Sequence, residues 1–192
     1  LCYVALAGTT HEPAAALAAE LAAVAPPGLG RVFFSDDGST AVEVAIKIAI
    51  QLWHNEGAPK KKRFVALDGA FHGETIGATS LGGVDVFKKA FGGVLFDCVH
   101  APFPEEGAYA RAFEVLADLV RRERDTLAAV VVEPLVQGAA GMRMYPPEYL
   151  RELREVTRAC DVLLVADEVF TGYGRTGPMW ACDHAGVTPD LL

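Results

Sequence analysis

Five polar stretches of the sequence carry residue types that could hold or transform a ligand. The first is Ser35-Asp36-Asp37-Gly38-Ser39-Thr40, a glycine turn that the pattern places between a short strand and a helix. A helix start presents unsatisfied backbone N–H groups and the positive end of the helix dipole, which suits a phosphate. Gly38 lets the backbone approach closely, and the Ser39 hydroxyl can donate a further hydrogen bond. The same turn also reads as plain capping, since Thr40-x-x-Glu43 fits a capping box.

The second is Asp167, which follows the apolar run Val162-Leu163-Leu164-Val165-Ala166. A carboxylate at the end of a buried strand is costly unless a cation or hydrogen-bond donors meet it. The protonated nitrogen of a pyridine cofactor is one such cation, and an acid there keeps the ring an electron sink. A magnesium-binding acid of a P-loop ATPase has the same local pattern, but it requires GxxxxGK[ST], and that string does not occur.

The third stretch, Gly172-Tyr173-Gly174-Arg175-Thr176-Gly177, matches GxGxxG. Its glycines lie several residues past the strand, with an Asp-Glu pair between. It reads better as a flexible loop near a site than as a dinucleotide fingerprint. The fourth is Ala70-Phe71-His72-Gly73, where Phe71 could lie on a flat ring or simply belong to the core. The fifth is Glu133-Pro134-Leu135-Val136-Gln137-Gly138, with Glu133 ending an apolar run.

Positioning these residues requires alternating helices and strands. Helical patterns cover His11–Ala25, Thr40–Glu56, Ala108–Arg124 and Pro147–Cys160. Strand-like runs cover Arg31–Ser35, Arg63–Leu67, Val94–Val99, Ala128–Glu133 and Val162–Ala166, and a glycine-studded stretch reaches from Leu67 to Gly93. Continuous β-branched runs between amphipathic helices predict an α/β fold, a mainly parallel sheet with helices on both faces. In such sheets the ligand lies beyond the carboxyl ends of the strands, where these polar residues fall.

Composition narrows the partners. The chain is 52% hydrophobic and 22% charged, which describes one globular core rather than disorder. A net charge of −8 argues against nucleic acid and anionic membranes as partners. The one basic run, Lys60-Lys61-Lys62-Arg63, reads as a solvated turn. No apolar run reaches membrane-spanning length. Cys2, Cys98, Cys160 and Cys182 show no paired spacing, as expected of thiols in the reducing cytoplasm, and the five histidines show no metal-ligand spacing.

Strand–GST–helix, strand–x–FHG, strand–EP–QG and strand–DE follow one another in this order. Together with Thr10-His11-Glu12-Pro13, VFFSDDGSTAVEVAIK (32–47), VVVEPLVQGAAGMRMYPPEYL (130–150) and ADEVFTGYGRTG (166–177), they resemble the class III (omega) aminotransferases of pyridoxal-phosphate fold type I. The similarity covers nearly the whole chain. The MRMY string and the extra residue in EPLVQG resemble the biotin-pathway branch of that family. Its members take an amino group from S-adenosylmethionine and give it to 8-amino-7-oxononanoate. Other class III branches, acting on lysine, ornithine or 4-aminobutyrate, share the same cofactor residues, and a non-catalytic fragment is a further alternative.

The resemblance implies pyridoxal 5′-phosphate as cofactor, with Gly38 and Ser39 on its phosphate and Asp167 on its pyridine nitrogen. Phe71 and Val169 would pack against opposite faces of the ring, and Glu133 would lie one layer further out. Phe71 stands where the biotin branch usually has Tyr, and so also bears on substrate. The resemblance implies a cytoplasmic homodimer and makes residues 1–192 part of the large, cofactor-binding domain. It places an N-terminal segment, the Schiff-base lysine and a small C-terminal domain outside this chain. None of Lys47, Lys60, Lys61, Lys62, Lys88 and Lys89 has the context of that lysine. Leu1–Ala7 reads as the interior of a longer sequence, and Pro189–Leu192 as the opening of a further strand.

Overall fold

The computed structural model describes residues 6–192, so Cys2 and most of the Leu1–Ala7 stretch fall outside the described residues. The chain divides into two units, residues 1–34 and 35–192.

The first unit holds one helix, α1 (Glu12–Val24), with a proline in its first turn, where the missing N–H costs nothing. Ala25, in an extended conformation before Pro26-Pro27, ends it. The strand expected at Arg31–Ser35 is absent. These residues have strand-like side chains but form no strand with any of the described residues, and Phe33 is 70% exposed. Strand propensity without a partner leaves the backbone hydrogen bonds to solvent.

The second unit is built on a four-stranded parallel sheet of β1 (Arg63–Leu67), β2 (Cys98–Ala101), β3 (Leu127–Val132) and β6 (Leu163–Ala166), in the order β2-β1-β3-β6. Leu191 adds a single parallel bridge to Val165 at the β6 edge. A two-stranded antiparallel ribbon, β4 (Val136–Gln137) and β5 (Arg143–Met144), stands past the end of β3.

Side chains alternate between the two faces of the sheet, and both faces are covered. On one, Val65, Leu67, Val130, Val132 and Leu164 pack with α5 (Tyr109–Glu123) and α6 (Pro147–Ala159). On the other, Phe64, Ala129, Val131 and Val165 meet α2 (Gly38–Asn55) and α3 (Ile76–Leu81). Helix α2 presents Val42, Ile46, Ala49 and Trp53 to that core, a stripe at helical spacing. Pairing between β1 and β3 shifts at Arg63/Phe64, so that Ala128 has no partner in the register. Its carbonyl accepts the indole N–H of Trp53 at 2.9 Å instead.

Three local expectations change. The strand read at Val94–Val99 begins only at Cys98. The glycine-studded stretch contains two short helices, α3 and α4 (Asp85–Lys88), too brief to leave a periodic signal. Lys61 is 7% exposed, not solvated. Its ammonium lies 3.8 Å from the centre of the Trp53 ring, hydrogen-bonds the Asp161 carbonyl and pairs with the Asp161 carboxylate at 3.6 Å. Three favourable contacts offset its burial. Among the described residues, no helix is long and apolar enough to cross a membrane.

Candidate cofactor site

All six site residues singled out from the sequence line one cavity of about 440 Å³ at the carboxyl ends of β1, β3 and β6. They are Gly38, Ser39, Phe71, Glu133, Asp167 and Val169. The volume suits a small-molecule site, for which roughly 300–1,000 Å³ is usual. A larger groove of about 580 Å³ near Lys88 contains none of them. The Lys88 ammonium there is engaged with the carbonyls of Ser80 and Gly82.

Helix α2 opens at Gly38. Its N-cap is Asp37, which forms a capping box with Thr40 rather than the Thr40/Glu43 box read from the sequence. Asp37 Oδ1 accepts the Thr40 N–H at 2.8 Å, and the Thr40 hydroxyl oxygen accepts the Asp37 N–H at 2.9 Å. A helix leaves its first backbone N–H groups without intrahelical acceptors, so those of Gly38 and Ser39 are available at the cavity wall. A Cβ at Gly38 would lie 3.0 Å from Val169 Cγ2, so the helix start packs directly on the residue two beyond Asp167. The Ser39 hydroxyl accepts the Glu74 N–H at 3.2 Å and keeps its own proton for another acceptor.

Asp167 extends β6 by one residue, its N–H donating to the Val132 carbonyl at 2.8 Å. The side chain is 6% exposed. Oδ1 accepts the Val169 N–H at 3.1 Å, and Oδ2 lies 2.7 Å from His72 Nδ1. No lysine or arginine pairs with it among the described residues. A carboxylate offers about four acceptor sites, so two remain for an incoming donor.

His72 was not singled out beforehand, although it lies in the FHG string. Its ring is fully buried, and Nε2 has no hydrogen-bond partner among the described residues. Its neighbour Phe71 is half-buried and meets Phe87 edge-on, with ring centres 5.5 Å apart. Glu133 does not present a free carboxylate to the cavity. Its oxygens accept the Phe71 N–H at 3.1 Å and the Gly138 N–H at 2.9 Å, joining the turn after β1 to the turn after β4. Burial raises its pKa above the ordinary 4.5, and the two N–H donors oppose that rise. Gly138 in turn packs closely on Phe170, whose ring a Cβ at position 138 would approach to 3.1 Å.

Glu168 faces away from the cavity. Its carboxylate accepts the Thr171 hydroxyl at 2.6 Å and the backbone N–H groups of Ala181 and Cys182 at 3.0 and 2.9 Å. The Asp-Glu pair is therefore split between the cavity and the closure of the 168–182 loop. That loop carries the GxGxxG string without a helix start behind it: Tyr173 and Gly174 both have positive φ, and turns follow.

Pyridoxal 5′-phosphate fits the chemistry of this donor set. The cavity offers free N–H groups and a hydroxyl at one place, an acid with open acceptor sites at another, and Phe71 and Val169 as apolar walls.

The class III aminotransferase family model matches residues 1–192. An adenosylmethionine-8-amino-7-oxononanoate aminotransferase of Synechococcus elongatus is 47% identical over 99% of this chain and 46% of its own length. One of the same name from Geobacter sulfurreducens is 45% identical over 97% of this chain and 44% of its own. The chain thus spans less than half the length of these relatives. An amine transaminase from an uncultivated Pseudomonas species, solved with pyridoxal phosphate bound, superposes with a TM-score of 0.90 at 35% identity, covering 98% of this chain and 45% of that one. With the family model matched from end to end, the chain belongs to the class III aminotransferases.

Proposed function

We propose that the intact protein transfers an amino group from S-adenosylmethionine to 8-amino-7-oxononanoate, giving 7,8-diaminononanoate in biotin biosynthesis. The names of its relatives and the EPLVQG and MRMY strings support the choice of substrates. Its cofactor is pyridoxal 5′-phosphate, whose ring would supply the electron sink that amino transfer needs. The observation that carries the reading is that Asp167, at the tip of β6, shares one cavity with the Gly38–Ser39 start of α2.

On this reading the N–H groups of Gly38 and Ser39 and the Ser39 hydroxyl bind the phosphate. Asp167 keeps the pyridine nitrogen protonated and fixes the ring's orientation. Phe71 and Val169 hold the ring from its two faces and exclude water. Glu133 acts through the backbone, setting the distance from Phe71 to Gly138. None of the six lysines of this chain lines the cavity. The parent is proposed to be a cytoplasmic homodimer; the free thiols of Cys98, Cys160 and Cys182 agree with a reducing compartment.

The decisive experiment is Asp167→Ala in the full-length enzyme. Turnover is expected to vanish, and near-normal activity would refute the role given to this acid. A second reading, transamination of another ω-amine, draws on the likeness to the amine transaminase and on Phe71, which lacks the hydroxyl that the biotin branch carries there. Assaying S-adenosylmethionine against simple ω-amines as donors separates the two. A chain of residues 1–192 without catalytic competence should bind the cofactor weakly and form no borohydride-stable adduct.

A further inference from the structure

Helix α2 grips the segment that follows Phe71-His72 at two points. Ser39 and Glu43 are four residues apart and so share a face of the helix. Ser39 Oγ accepts the Glu74 N–H at 3.2 Å, and Glu43 Oε1 accepts the Gly77 N–H at 2.7 Å. A glycine stands at each contact, where a side chain would force its neighbour to move. A Cβ at Gly73 would lie 2.3 Å from Ser39 Oγ, and one at Gly77 would lie 2.3 Å from Glu43 Oε2. At Gly73 the approach reaches the backbone of α2, a Cβ there lying 2.9 Å from Ser39 Cα, whereas at Gly77 it reaches the end of the Glu43 side chain.

The start of α3 shows why Glu43 matters. Thr75, its N-cap residue, makes no side-chain capping bond, and its hydroxyl is buried without a partner among the described residues. A local cap would have satisfied the free N–H of Gly77 equally well. Capping from α2 does something more, because it fixes the distance between Ser39 and the turn bearing Phe71 and His72. Glu43 itself does not line the cavity.

We propose that Glu43 is a positioning residue for the phosphate end of the cofactor site, acting through Gly77 and Glu74 on the Ser39 hydroxyl. With its acceptor side occupied by the Glu74 N–H, the Ser39 hydroxyl has its proton directed elsewhere, toward a phosphate oxygen. If segment 73–77 loosens, that hydroxyl turns freely and the phosphate loses an oriented donor. The inference rests on the assignment of Gly38 and Ser39 to the phosphate.

The test uses the full-length apoenzyme, titrated with pyridoxal 5′-phosphate and, separately, with pyridoxal, which lacks the phosphate. Glu43→Ala should raise the Kd for pyridoxal 5′-phosphate about ten-fold, equivalent to about 1.4 kcal/mol. It should leave the Kd for pyridoxal unchanged. Glu43→Gln keeps an acceptor oxygen and should restore wild-type affinity. Glu43→Asp is one methylene too short and should behave like the alanine variant. If Glu43→Ala does not fold, the Asp and Gln variants carry the same comparison. Equal weakening of both ligands would mark general loosening and overturn the proposal, as would wild-type affinity in both the Ala and Asp variants. A wild-type protein that takes up no pyridoxal 5′-phosphate would remove the site assignment as well.

Discussion

His72 Nδ1 lies 2.7 Å from Asp167 Oδ2, so a ring from the turn after β1 supports the acid at the tip of β6. An ionised carboxylate can only accept, which makes Nδ1 the donor. With the Val169 N–H on Oδ1, this contact fixes the plane in which Asp167 offers its remaining acceptor sites. Removing the imidazole takes away one of two donors from a buried carboxylate, a loss of about 1–3 kcal/mol. His72→Ala in the full-length enzyme should therefore raise the cofactor Kd and lower kcat, by roughly ten- to a hundred-fold. The loss should be smaller than in Asp167→Ala, and His72→Asn should recover part of it. Wild-type values in cofactor titration and steady-state kinetics would show that Asp167 needs no such support.

Gly73 meets Ser39 with no room for a methyl group, and its φ is +122°. An alanine there faces both a strained backbone and a collision with Ser39 Oγ, Cβ and Cα. Flexible side chains can move aside, but the Ser39 Cα cannot, so α2 itself would have to shift. Gly73→Ala should cost about 1–3 kcal/mol of stability and weaken cofactor binding in the same protein. Urea denaturation of the apoenzyme and cofactor titration read the two effects separately. A variant as stable as wild type would mean that segment 73–77 is not held against α2.

Asp167 and Glu133 stand out in the sequence because each follows an apolar run, and Ser39 because it lies in a glycine turn at a helix start; the structure brings the three to one cavity. The parallel sheet and its two covered faces were legible because the periodicity of such runs is local. His72 was not, because its importance comes from Asp167, 95 residues further along the chain, and no local pattern marks that contact. Glu168 was hidden by its neighbour: an Asp-Glu pair looks like one acidic patch until the strand end sends the two side chains opposite ways. Lys61 was misread because a basic run looks solvated, and only the fold brings Trp53 and Asp161 around it. The strand expected at Arg31–Ser35 failed for the converse reason, since strand propensity does not supply a neighbour to pair with.

Glu133 gives the site a dependence on pH. Burial raises its folded-state pKa above 4.5. A raised pKa means that the folded protein holds the proton more tightly than the unfolded chain. Its contribution to stability is therefore fully present below about pH 4.5 and is lost as the pH rises through the folded-state value. Glu133→Gln does not titrate, and it turns an amide N–H toward one of the two backbone donors, Phe71 or Gly138. The mutant should be less stable than wild type at low pH, with the gap narrowing as the pH rises. Denaturant midpoints measured at intervals from pH 4 upward check the slope. A gap that widens with pH would reverse the sign assigned to burial.

Glu168 should be needed for the loop that borders the cavity. It is 5% exposed and accepts the Thr171 hydroxyl and the N–H groups of Ala181 and Cys182, joining both ends of the 168–182 stretch. Between them the chain makes tight turns, with Tyr173, Gly174 and Gly177 at positive φ and Arg175 exposed. Without the carboxylate, two buried N–H groups are left unsatisfied, and Glu168→Ala should cost about 3 kcal/mol. The loss begins in the loop, so local opening should precede global unfolding. Trypsin should then cut after Arg175 faster in Glu168→Ala than in wild type, at temperatures where both proteins remain folded. Glu168→Gln keeps one acceptor oxygen and should fall between the two. Cleavage at the same rate in all three proteins would show that the loop is held by other contacts, the packing of Tyr173 on Trp180 first among them.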